Sequence, residues 1–122
     1  MHITYAMVRD GMPRVIETKG DQFVYNPPRN AGGTCQYIWD GEPDCLIACY
    51  LVDLGVPIEA FDTGEDVMGI DELISKGHLE EFGVTVEPEA MHAMSRIQSL
   101  QDDQYPWGDA YRMTFEYENE EK

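Results

Sequence analysis

The stretch Cys45-Leu-Ile-Ala-Cys-Tyr-Leu-Val-Asp-Leu54 constrains this chain most, because Asp53 is its one charge and apolar residues cover every side of the helix it would form. A helix apolar all round is one that the rest of the protein wraps. It is also too short to span a bilayer. The flanking signals predict a helix over residues 43–54. Pro43 suits the first helical position, where a missing N–H costs nothing, and Asp40, Glu42 and Asp44 put carboxylates at the positive end of the helix dipole. Gly55 then supplies the stop. Residues 34–39 before it read as an extended arm, so arm, turn and helix form one unit.

Charge narrows the functional classes. The 122 residues carry 24 acids against 8 bases, a net charge of −16. Residues 1–30 are close to neutral, whereas residues 40–89 hold fourteen acids against Lys76 alone, a net −13. Such a field repels phosphate backbones, which argues against direct binding to nucleic acid or an anionic membrane and for a basic protein partner. The 43% of hydrophobic residues provide enough apolar surface to offset the ordering entropy of one domain. The opening residues lack a basic segment followed by a long apolar run, so a cytoplasmic location is expected. Three cysteines in such a chain favour reduced thiols over a disulfide framework.

Along the chain, residues 2–8 have strand-like β-branched and aromatic content, and Asp10-Gly11 is a turn signal. Residues 13–19 could return as the second strand of a hairpin or form a two-turn helix from Pro13 to Gly20; the strand is the expectation. Paired prolines and glycines make residues 26–33 a loop. A short helix is expected over 57–61, and another capped by Asp71, carrying Leu73, Ile74, Leu79 and Phe82, ends at Gly83. The longest helix, about 88–103, opens at Pro88 and carries an apolar stripe of Met91, Met94, Ile97 and Leu100, with Arg96 and the glutamines outside. Residues 105–108 break the chain, 109–115 form a last element, and 116–122 are an acidic, disordered tail.

Few constellations suggest chemistry. Cys45 and Cys49 are four apart on the central helix, so with Cys35 and either His78 or His92 they offer an alternative metal site or a cysteine-dependent enzyme. Against it, ligand pairs two to four residues apart on turns are missing, and small buried hydrophobes are the plainer role for cysteines on an apolar helix. Asp44 and its acidic neighbours also oppose thiolate formation. The acidic stretch from Asp62 has Leu73 where a calcium loop needs a glutamate, so it reads as a solvated loop. Glu80-Glu81 and Asp102-Asp103 splay as neighbours on a helix do, and Gly32-Gly33 lacks the lysine of a phosphate loop. No cofactor is implied.

The spacing of Cys35, Tyr37, Gly41-Glu42-Pro43, Cys45-Leu46-Ile47 and Leu54-Gly55-Val56, followed by Gln101-Asp102 and Trp107-Gly108-Asp109-Ala110, resembles short uncharacterised proteins of actinobacteria and their phages. The likeness runs over roughly residues 22–110 and leaves the first 20 residues outside the pattern. It implies a source, and that the cysteine-turn-helix unit and the Trp107 turn share one core. It implies no activity.

These readings combine into an α+β fold in which a small N-terminal antiparallel β element packs on three or four helices around the apolar helix 43–54, in one domain over residues 1–115. The expected function is non-catalytic: an acidic interaction or regulatory protein, phage-encoded on the resemblance, that binds a basic surface of a host protein and can mimic nucleic-acid charge. Asp62, Glu65, Asp66, Asp71, Glu72, Glu80 and Glu81 are the expected contacts.

Overall fold

The computed structural model describes residues 1–25, 37–39, 41–62 and 68–116, with backbone alone at residue 39. The expected loop over 26–33 and nearly all of the acidic tail lie outside the described residues. What is described is α+β and mostly helical, with two small strand pairs.

The N-terminal hairpin is not formed. β1 (His2–Ile3) is followed at once by a helix, α1 (Tyr5–Lys19). Thr4 caps it through its Oγ1, which accepts from the Met7 N–H at 3.2 Å, and Gly20 follows at φ +99°. Val8, Met12, Val15 and Ile16 recur at helical spacing and are all buried. Pro13 costs an interior turn about 3 kcal/mol, whereas each buried apolar side chain contributes roughly 1.5–3 kcal/mol, so the helix prevails. Gly11, the other apparent breaker, lies where α1 meets the ring of Tyr50; a Cβ there would sit 3.1 Å from Tyr50 Cε1.

β1 instead pairs in parallel with β4 (Thr85–Val86), with His2 opposite Thr85 and Ile3 opposite Val86. The Glu87 N–H donates to the Ile3 carbonyl at 2.9 Å, and Glu87 Oε1 accepts from the Tyr5 N–H at 3.0 Å, which ties the start of α1 to the end of β4. The antiparallel pair lies elsewhere: β2 (Ile38–Trp39) meets β3 (Glu42–Pro43) across a turn that holds Gly41 at φ +78°. Pro43 therefore belongs to a strand. The apolar helix, α2 (Leu46–Leu54), begins later than expected, with Cys45 at its N-cap, and ends at Gly55 in the left-handed conformation.

Beyond a 3-10 turn (Ile58–Phe61), α3 (Ile70–Ser75) has Gly69 at its N-cap and Asp71 within its first turn. A second 3-10 turn (Glu80–Phe82) separates it from β4, so Leu79 and Phe82 do not continue α3. α4 (Pro88–Asp102) opens at Pro88 as expected, and α5 (Trp107–Phe115) opens at Trp107, inside the expected break. α2 is as buried as its composition requires, yet α4 is the hub: it packs against each of the other four helices. It buries Ala90, Ala93, Met94 and Ile97, and also Gln98 and Gln101, which the sequence places on the solvent side. Among the described residues no helix is long and apolar enough to cross a membrane.

Candidate functional site

The two buried glutamines decide where the surface elements sit. Neither Cys45 nor Gly69 caps its own helix with a side chain, which leaves the first N–H groups of α2 and α3 without a local partner. Gln101 Oε1 accepts from the Leu46 N–H at 2.8 Å, and Gln98 Oε1 accepts from the Ile70 N–H at 2.8 Å. Three residues apart on one face of α4, the pair holds both helix starts. Gln98 Nε2 donates to the Tyr37 hydroxyl at 3.0 Å, and that hydroxyl donates to the Met68 carbonyl at 2.8 Å. The short, acidic α3 is thus fixed from inside.

Five of the seven expected contact residues fall within the described residues, and all five are exposed: Asp62, Asp71, Glu72, Glu80 and Glu81. Glu65 and Asp66 lie outside them. Glu72 bridges Lys76 at 3.0 Å, so the one base of residues 40–89 is already matched. Glu80 and Glu81 are followed by Phe82, 42% exposed, which ends a 3-10 turn and not the helix capped by Asp71 on which it was expected. Met1 meets the residue after it: the Met1 amine donates to the Gly83 carbonyl at 2.8 Å, and the Met1 methyl reaches Gly55 at the end of α2. Ile58, three residues beyond Gly55, is 37% exposed. An exposed aromatic thus stands within an acidic run of the chain, Glu80-Glu81-Phe82.

Among the described residues, clefts flank the outer helices. One, of about 300 Å³, is lined by Asp71 of α3 and by Met91, His92, Ser95, Arg96 and Ser99 of α4. Another, of about 260 Å³, lies between α1 and α5, and its cation is matched: Arg112 bridges Asp21 at 2.8 Å and Asp109 at 2.6 Å. Hydrogen bonds to both carboxylates raise the Arg112 pKa further.

The alternative metal or cysteine site is not assembled among the described residues, where no three His, Cys, Asp or Glu side chains converge as metal ligands. Cys45 is fully buried, Cys49 is partly buried with its sulfur 3.7 Å from the Pro43 carbonyl, and Cys35 lies outside the described residues. His78 sits on the turn after α3, and His92 faces outward on α4.

No family model matches this chain, and neither a curated protein nor a solved structure matches it.

Proposed function

We propose that this chain is a non-catalytic acidic interaction protein, of actinobacterial or phage origin, which binds a basic surface of a host protein in the cytoplasm. The observation that carries the reading is the 3-10 turn Glu80–Phe82, where an exposed aromatic follows two exposed glutamates in a stretch of chain holding fourteen acids and one base. Magnitudes assign the roles. A solvent-exposed ion pair is worth about 0–1 kcal/mol, so the carboxylates steer the encounter and fix the sign of the partner. Burying the exposed part of a phenylalanine removes roughly 80 Å² of apolar surface, about 2 kcal/mol, so Phe82 is the anchor. Asp62, Asp71, Glu72, Glu80 and Glu81, with Glu65 and Asp66, form the charged field, which can stand in for nucleic-acid charge. The full burial of Cys45 weighs against the metal or cysteine-enzyme alternative.

The test is to identify the partner by native mass spectrometry at low salt and then titrate it, purified, against the wild type and against Phe82→Ser. Binding that weakens about tenfold from low to high salt, and about tenfold again in Phe82→Ser, is the expected result. Affinity unchanged by salt ends the charge-led reading, and affinity unchanged in Phe82→Ser moves the anchor elsewhere.

A further inference from the structure

The cleft between α3 and α4 holds two opposite charges that do not meet. Arg96 and Asp71 both line it, yet no ion pair joins them. The other arginines among the described residues are closely matched: Arg9 bridges Asp10, Arg14 bridges Asp53, and Arg112 bridges Asp21 and Asp109. Among the described residues Arg96 is the one arginine without a carboxylate partner, in a protein with three times as many acids as bases. Its Nη2 makes a long contact, donating to the Met113 carbonyl at 3.4 Å.

The remaining lining is chemically consistent. His92, Ser95, Arg96 and Ser99 fall at positions i, i+3, i+4 and i+7, one face of α4, so two serines line the cleft together with Arg96. Met91 adds an apolar wall. A carboxylate can be received by Arg96 and a serine hydroxyl, and an ammonium by Asp71. Net charge decides between ligand classes: the −16 field repels an anion, and a simple cation has no use for Arg96. A zwitterion has no net charge to be repelled and satisfies both walls. The cleft, about 300 Å³, is at the small end of the range for ligand sites.

We propose that this cleft binds a small zwitterion, an α-amino acid with an apolar side chain, with its carboxylate on Arg96 and Ser95 or Ser99 and its ammonium on Asp71. Both charged residues are exposed on their helices, so affinity is modest, with a Kd of about 1 mM.

The experiment is a ¹H–¹⁵N titration of the full chain with three probes: L-leucine, which carries both charges, L-leucinamide, which keeps only the ammonium, and N-acetyl-L-leucine, which keeps only the carboxylate. L-leucine should give saturable shifts at the amides of Asp71, Ser95, Arg96 and Ser99, with both derivatives about tenfold weaker or more. Arg96→Gln and Asp71→Asn should each remove the L-leucine response while leaving the rest of the spectrum in place, which separates lost binding from lost folding. The absence of saturable shifts with L-leucine, equal responses to a derivative, or full binding by Arg96→Gln each overturns the proposal.

Discussion

The Tyr111 hydroxyl donates a hydrogen bond to the Arg9 carbonyl at 2.7 Å. That carbonyl is the one Pro13 leaves without its helical partner, since a proline four residues on has no N–H to offer. α5 thus repairs a defect in α1. Tyr111→Phe should cost about 1 kcal/mol in urea denaturation, and Pro13→Ala, which restores the missing N–H, should shrink that cost by about half or more. Equal costs in the two backgrounds would show that the hydroxyl does not act through the orphaned carbonyl.

Gln98 and Gln101 should report on different helices. Replacing Gln101 by Met leaves the buried Leu46 N–H without an acceptor and should cost roughly 1–3 kcal/mol. Amide exchange then accelerates at Leu46 and not at Ile70; Gln98→Met reverses that pattern. Acceleration of both amides by either variant would mean general loosening instead of local capping.

Tyr50 makes stability fall at high pH. It is fully buried, its hydroxyl has no partner among the described residues, and burial, with Asp53 adding, pushes its pKa from 10.0 to about 12. The folded state therefore holds the phenolic proton more tightly than the unfolded state does. Stability is intact below pH 10 and declines as pH rises through about 12. Tyr50→Phe should flatten that decline and raise neutral-pH stability by about 1 kcal/mol, because it removes an unsatisfied buried hydroxyl. Urea midpoints measured across alkaline pH decide it; equally steep declines in the two proteins would exclude Tyr50 as the source.

Gly108 is required by Asp21. A Cβ at position 108 would lie 2.2 Å from Asp21 Oδ1, so Gly108→Ala displaces the carboxylate and its bridge to Arg112. A cost of about 1 kcal/mol is expected, set by a partly exposed ion pair and local crowding. With Asp21→Gly in place, which removes every clashing side-chain atom, the helix preference for alanine makes the same substitution neutral or stabilising. The comparison of Tm values in the two backgrounds is the test, and an unchanged penalty would locate the clash in some other group.

What could be read from the chain and what could not divide along sequence distance. The Pro88 start of α4 and the burial of Met94 and Ile97 were legible, because helical spacing and proline stereochemistry are local properties, while Met91 and Leu100 of the expected stripe are only half-buried. α1 carries signals as good, with Thr4, Gly20 and Val8, Met12, Val15 and Ile16 at helical intervals, yet Gly11 and Pro13 speak for a turn. Their cost is met by burial and by Tyr111, contacts that no local window contains. The carboxylate-rich middle was visible as composition, but the exposure of Phe82 followed only because α3 stops at Ser75 and a turn over residues 76–79 leads into a separate 3-10 turn that carries Phe82.

By itself the sequence determined that a buried apolar helix ends at Gly55, that an amphipathic helix starts at Pro88, and that the acid is concentrated in residues 40–89. Periodicity, glycine and proline stereochemistry and net charge are carried by near neighbours or by simple counts. Folding alone set the pairing of β1 with β4, turned two glutamines inward to hold α2 and α3, and brought Asp71 and Arg96 to one cleft without an ion pair. Each of those brings together residues far apart in the chain, where the balance of burial and hydrogen bonding is struck among partners that meet only on folding.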